Sequence, residues 1–394
     1  LIIVIASSAM ALSIEPTDSW VYESLDLLYH YKPAERFQNQ RPYWRDMIFD
    51  DIGEYNRHGN YEISDFQNLV LGNRVAEWES KRIQKEFAYM RIFWHTESGE
   101  MIRFKISPYS LNHFEDNESP LYRIGMKAEG TINFFNSVFL QLRGRFENKG
   151  HLDSFAKVRR WGDKLTSCFD YALLGYKYND FRFTIGRIFR AWGPEDNDRL
   201  LLSTNSPPFN QFSAEYSGKW LAFQFWAAQL DQFRDPEGDK WNRFFSAHRL
   251  AVKPHKRLEI GISETVLYAR ENASWDLMYL NPLLPFYVEQ YNNRIDDNIY
   301  MDIDFTWYPV DGLKLYGELL IDDFQIDFVS ESHQVGFNFG ISELGLLLSE
   351  YLQLEIDYTQ IRNSVYGQNK FYNVFSHEDV IIGSSLGTDS DRLR

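Results

Sequence analysis

The most constraining feature of this chain is a change of period. From about Phe87 onward apolar residues recur at every second position, and the positions between them are charged or amidic. In residues 138–147 Val138, Leu140 and Leu142 share one face, and Gln141, Arg143, Arg145 and Glu147 share the other. In residues 299–307 Ile299, Met301, Ile303, Phe305 and Trp307 alternate with Tyr300, Asp302, Asp304 and Thr306. Leu352, Leu354, Ile356 and Tyr358 oppose Gln353, Glu355, Asp357 and Thr359, and Leu313, Leu315, Leu319 and Ile321 oppose Lys314, Glu318 and Asp322. Successive side chains on a strand point to opposite sides, so each segment has one greasy face and one charged face. About fourteen or fifteen strands of this kind can be counted.

A soluble sandwich also alternates, but its strands average about five or six residues. Here they run to ~9–12 residues, the length that crosses a bilayer at a tilt. Aromatic residues cluster towards their ends, with Trp307 and Tyr308, and Trp220 and Trp226, as examples. The chain is 17% aromatic, with 11 Trp, 24 Tyr and 31 Phe, and carries a formal charge of −15. That combination suits a transmembrane β-barrel whose Leu, Ile and Phe face lipid around a charged interior. The lumen network is expected to comprise Arg143, Arg145, Asp302, Asp304, Glu318, Glu355 and Asp357. A net acidic chain without a basic footprint argues against nucleic-acid binding. The single Cys168 excludes an internal disulfide framework and a Cys-based zinc site.

The N-terminus reads differently. Leu1 to Ala6, followed by Ala9-Met10-Ala11, reads as the end of a secretory signal peptide. Residues 16 to about 87 carry a helical period in three segments. The first follows Pro16, with Asp18 or Ser19 as N-cap, and places Val21, Leu25 and Leu28 on one stripe; the second starts at Pro42 with Trp44, Ile48, Ile52 and Tyr55. The third starts at Ser64 and runs through Leu71, Val75 and Trp78. The expected organisation is a signal remnant over 1–11, an N-terminal helical bundle on the periplasmic side over 12–86 and a barrel over 87–394.

Catalytic signatures are sparse. No H-E-x-x-H, Walker loop or G-x-G-x-x-G occurs. His377, beside Glu378 and Asp379, reads as a solvated turn rather than a metal site. Asp296-Asp297 and Asp322-Asp323 are adjacent pairs whose side chains diverge on a strand, so neither alone can flank a glycosidic bond.

The most distinctive stretch runs from Gly186 to Phe209, a strand end opening into a long polar connection. Its Trp192, Glu195, Asp196, Asp198, Arg199 and Asn205 are the candidate carbohydrate-binding residues. Indole faces stack on sugar rings, and Asp, Arg and Asn bond hydroxyls. The same composition also suits a folded loop whose charges pair internally. Tyr279 to Phe286, leading to Asp297-Asn298, is a second long connection, and Glu318 in the strand around Tyr316 to Phe324 is expected to point into the lumen.

At these residues the chain resembles the Wzi-type capsule assembly family of outer-membrane proteins. The pieces that carry the resemblance are G-R-x4-W-G-P at Gly186 to Pro194, L-x-S at Leu201 to Ser203, Y-L-N-P-L at Tyr279 to Leu283, and D-N at Asp297-Asn298. Y-G-E-x3-D-D at Tyr316 to Asp323 and the closing Leu386 to Asp391 also fit, as does the opening Val21-Tyr22 to Leu28 with Arg41-Pro42-Tyr43. The resemblance implies an all-β barrel of eighteen antiparallel strands with a small helical bundle, an occluded lumen, and a lectin role in assembling or attaching capsular or other surface polysaccharide. It implies no cofactor, no metal, no enzyme activity and a monomer in the lipid of a Gram-negative bacterial outer membrane. The strand count falls short of eighteen and the signal peptide lacks its basic start and initiator Met, so the chain is expected to be truncated at both ends. A porin or sugar channel and a secreted glycan hydrolase stand as the alternatives.

Overall fold

The computed structural model describes residues 12–14, 21–31, 37–48, 90–95, 101–113, 121–134, 137–148, 160–161, 165–194, 198–235, 237–272, 274–295, 297–323, 334–346, 352–368 and 370–394. One antiparallel sheet dominates. Its strands are β1 (Met90–His95), β2 (Met101–His113), β3 (Leu121–Phe134), β4 (Val138–Asn148), β5 (Leu165–Tyr178), β6 (Phe181–Ile188), β7 (Phe209–Ser217) and β8 (Leu221–Arg234). It continues through β9 (Lys240–His255), β10 (Leu258–Glu271), β11 (Asn298–Trp307), β12 (Leu313–Asp323), β13 (Gln334–Leu344), β14 (Gln353–Ile361) and β15 (Ser390–Leu393). Each strand pairs with the next in chain order, the up-and-down connectivity of an outer-membrane-type barrel.

Burial along the strands is inverted relative to a soluble protein. On β11 Asp302 and Asp304 are fully buried, whereas Ile303 and Trp307 between and beyond them are exposed. On β12 Lys314, Glu318 and Asp322 are buried and Leu319 is exposed; on β4 Gln141 and Arg143 are buried and Leu142 is exposed. A hydrocarbon surround is the environment in which this arrangement is stable, because charges inside can pair while apolar side chains outside meet lipid.

The inner face is an ion-pair lattice. Arg249 is paired with Asp304 and lies 4.0 Å from Glu259, which Lys253 approaches at 3.8 Å. Arg145 reaches Asp170 at 3.1 Å and Arg143 the same carboxylate at 3.9 Å. Arg394 holds Asp357 at 2.7 Å and Glu355 at 3.5 Å. Six of the seven expected lumen residues therefore lie in the interior. Glu355 is on the same face, accepting the Tyr316 hydroxyl at 2.7 Å, but its side chain is 37% exposed.

The aromatic residues divide between wall and lumen. Trp220 and Trp307 are exposed at strand ends as expected. Trp226 and Tyr308 are not boundary residues: both are fully buried. Trp226 sits mid-strand on the inner face of β8, packed on Phe209 and Phe245, because the even positions of β8 are the inward ones.

The two ends of the barrel differ. At one end the strands join through tight connections at 179–180, 218–220 and 256–257; at the other the connections span 189–208, 272–297 and 362–389. The N-terminal segment docks at the short-turn end. Helix α1 (Val21–Tyr31) buries Tyr22, Leu25, Leu28 and Tyr29 against Tyr43, Ile48 and Tyr308. Its C-terminal turn is tied to the wall, with the Tyr31 hydroxyl on the Leu344 carbonyl at 2.6 Å and the Gly312 N–H on the His30 carbonyl at 2.7 Å. Residues 45–48 are helical at the start of the second expected segment. The third lies outside the described residues.

Candidate functional site

Two segments from opposite ends of the barrel meet inside it. From the short-turn end, the N–H groups of Gln38 and Asn39 donate to Glu259 at 2.8 and 3.1 Å, and the Asn39 amide donates to Asp304 at 2.8 Å. Gln40–Arg41 then pair antiparallel with Ala191–Trp192 of the 189–208 connection, which comes from the long-loop end. The Gly193 N–H completes the join on the Asn39 carbonyl at 2.9 Å. Gly193 has φ +118°, and a Cβ there would stand 2.9 Å from a Glu318 oxygen. A glycine satisfies both demands.

The 189–208 connection is built as an internal strut. Trp192 is fully buried, its indole N–H donating to Gln224 at 2.8 Å and its ring edge-on to Trp226. Arg190 pairs with Glu215 at 2.6 Å. The N–H groups of Leu200 and Leu201 each lie 3.0 Å from Glu318, and the Leu200, Leu201 and Leu202 side chains fill the apolar cluster around Phe209, Trp226 and Phe245. Asp198 receives the Ser385 N–H at 2.7 Å and the Arg392 guanidinium at 3.0 Å; Arg199 donates to the Gly193 carbonyl at 2.9 Å. The half-buried Asn205 donates to the Ile381 carbonyl at 3.1 Å.

Of the six candidate saccharide residues, Trp192, Asp198, Arg199 and Asn205 are thus engaged with the protein itself. Trp192, Asp198 and Arg199 present no surface to a polymer outside, because their polar atoms close the strut's own hydrogen bonds. Glu195 and Asp196 lie outside the described residues.

The 362–389 connection lies over this strut. The Tyr366 hydroxyl donates to the Leu200 carbonyl at 2.6 Å, and burial raises its pKa, keeping the phenol protonated. The Ser203 hydroxyl donates to Gly383 at 2.6 Å. Arg243 on β9 gathers the carbonyls of Tyr372, Val374 and Ser376 at 2.8, 2.5 and 2.9 Å. His377 is not in a solvated turn: it is buried, with Nδ1 3.2 Å from Asp231 and its ring stacked on Phe209. The described clefts along the seam between the N-terminal segment and the wall hold about 20 and 10 Å³, room for about one water each and far too little for a sugar ring.

Among the described residues, the long-loop end carries a partly exposed aromatic rim. Trp241, at the start of β9, stacks on Tyr372 with ring centroids 4.3 Å apart and planes within 3°; its indole N–H donates to Asp235 at 3.1 Å. Phe371 meets Tyr372 edge-on at 5.2 Å and Phe233 at 6.1 Å, and is itself exposed. Gln232 and Asn242, bonded to each other at 3.0 Å, and the exposed Arg234, Glu237 and Asp239 surround it. Partly exposed rings beside amides and carboxylates suit contact with a sugar ring. No motif marks these residues in the sequence; the only signal is the Phe371-Tyr372 pair inside a long connection.

The family profile described as capsule assembly protein Wzi matches residues 107–394. No curated protein matches the chain. Among solved structures, that of Wzi from Escherichia coli, an outer membrane protein involved in group 1 capsule assembly and described as a carbohydrate-binding β-barrel, is similar over 98% of this chain and 80% of that one. The TM-score is 0.63 at 14% identity, which speaks for the fold. OmpT of Vibrio cholerae, an outer membrane protein, matches over 76% of this chain and 97% of that one at 11% identity with a TM-score of 0.33, too weak to argue from.

Proposed function

The chain belongs to the capsule assembly protein Wzi family, and from that premise we propose that it is a non-enzymatic, monomeric lectin that holds surface polysaccharide at the outside of the cell. It is an outer-membrane β-barrel of capsule assembly. Barrels of this kind keep their short turns in the periplasm and their long loops outside, so the 189–208, 272–297 and 362–389 connections face the extracellular side in this reading and α1 faces the periplasm.

The observation that carries the proposal is the filled lumen. Residues 37–44 and 189–208 join in the middle of the barrel through the Gln40–Trp192 pairing, which disfavours a diffusion pore. Contact with a polymer then falls to the rim, where Trp241, Phe371 and Tyr372 offer ring surface. The test is paired. The reconstituted protein should retain capsular polysaccharide extracted from its own host while passing no large steady current in a planar bilayer. Large currents without glycan retention overturn the reading.

A further inference from the structure

The connection between β10 and β11 does not join the others over the lumen. It folds down the outside of the barrel. On β10 the outward positions follow Ile262, which is exposed, through Glu264, Val266, Tyr268 and Arg270. On β9 they follow the exposed Leu250 through His248 to Phe244. Every one of those upper outward residues is covered by residues 274–297. Glu264 receives the Phe286 and Tyr287 N–H groups at 2.8 and 2.7 Å and sits 2.9 Å from His248. The His248 ring stacks on Phe286 at 4.3 Å, Tyr279 packs on Tyr268 at 4.8 Å, and Arg270 is held by Asp297 at 2.8 Å. Trp275 reaches across to Phe244 and to Phe212 on β7.

Two consequences follow from chemistry. Glu264, His248 and Arg270 would be costly on a wall bare to hydrocarbon. The connection replaces lipid above them with hydrogen-bond partners, and the Glu264 carboxylate caps the N-terminus of helix α2 (Phe286–Asn293). The same connection exposes a set of apolar side chains beside the polar Asn281, Asn292, Asn293 and Arg294. Leu277, Leu283 and Tyr291 are each more than three-quarters exposed, and Val288 is half exposed. This surface begins two positions above Ile262, so it continues the lipid-facing band of the wall.

We propose that residues 274–297 form an interfacial skirt, with Leu277, Leu283, Val288 and Tyr291 seated in the outer leaflet of the membrane. A short helix that exposes apolar and phenolic side chains while its first N–H groups are bonded to the wall suits a membrane interface. The occupant of the patch is the lipid surface. The skirt sets the height at which the barrel sits and keeps the rim clear of the bilayer.

The experiment uses the whole chain reconstituted into phosphatidylcholine vesicles carrying a nitroxide lipid labelled near the glycerol end of its acyl chain. Cys168 is first replaced (C168S), and an environment-sensitive fluorophore is placed at Leu283→Cys or Tyr291→Cys, with Ile262→Cys as the lipid-facing control and Glu237→Cys as the solvent control. Quenching at positions 283 and 291 should approach that at 262 and exceed that at 237 by at least about twofold, as expected for an element seated in the interface. Quenching equal to the 237 control overturns the proposal. So does energy transfer between labels on separate protomers at high dilution in lipid, which would assign the patch to a second copy.

Discussion

Glu318, in the barrel wall on β12, accepts the N–H groups of Leu200 and Leu201, 118 and 117 residues away, each at 3.0 Å. A single buried carboxylate thus fixes the connection that closes the lumen. It also explains the glycine beside it, since any Cβ at Gly193 would meet the same carboxylate.

Replacing Glu318 by Ala orphans both N–H groups inside the barrel, at a cost of about 1–3 kcal/mol for each. The strut should loosen, seen as protease cleavage within 193–205 and as new current through planar bilayers. Glu318→Gln keeps one acceptor oxygen and should leak less. Gly193→Ala should mimic Glu318→Ala, and the double variant should be little worse than either, because both act on one contact.

Trp192→Ala removes a fully buried indole and leaves Gln224 without its donor. Truncations of this size in a packed interior cost about 3–5 kcal/mol. The barrel should lose its compact migration in unheated SDS gels at a lower temperature than wild type. A variant that melts like wild type yet loses polysaccharide would return Trp192 to a direct saccharide contact.

At the rim, Trp241→Ala and Tyr372→Ala each remove one partner of a stacked pair with little load on the barrel. An aromatic stacking contact is worth about 0.5–1.5 kcal/mol, so each should weaken polysaccharide binding roughly twofold to tenfold. Heat-modifiability should stay at the wild-type temperature. Unchanged glycan retention in the double variant would remove the rim from the binding surface.

His30 makes the docking of α1 sensitive to acid. Its Nδ1 faces the Asp26 carbonyl at 2.8 Å and therefore carries the proton, and its Nε2 meets the Ser342 hydroxyl at 3.0 Å. Burial holds its pKa below the ordinary 6.5, with the nearby Lys314 adding to the effect and the Asp26 carboxylate opposing it. The undocked helix takes up a proton below pH 6.5 that the docked one refuses. Stability is therefore full above that pH and falls as the pH drops towards the folded pKa. Proteolysis of the N-terminal segment should accelerate on acidification, and His30→Gln should flatten the response.

Much of the wall was legible beforehand because a strand's side-chain alternation is local. Ile303 between Asp302 and Asp304, or Leu142 between Gln141 and Arg143, declares its side without reference to any other strand. The helical stripe over α1 was legible for the same reason. The candidate site was not. The residue types in 186–209 serve a saccharide or a folded strut equally well, and the choice depends on Glu318, Gln224 and Ile381, which lie far away in sequence. Trp226 and Trp220 are likewise six positions apart, yet one fills the lumen and the other, in the turn before the strand, is exposed.

The sequence by itself determined that this chain forms long strands, apolar on one side and charged on the other, because the two-residue period is a property of the extended backbone. Only the tertiary structure decided what the long connections do. Residues 189–208 turn inward to meet Gln40, 362–389 close over them, and 274–297 turn outward along the wall. The paths of 189–208 and 274–297 are anchored by buried carboxylates at Glu318 and Glu264, whose unsatisfied charge would be costly and whose nearest donors are backbone N–H groups on segments brought close by folding alone.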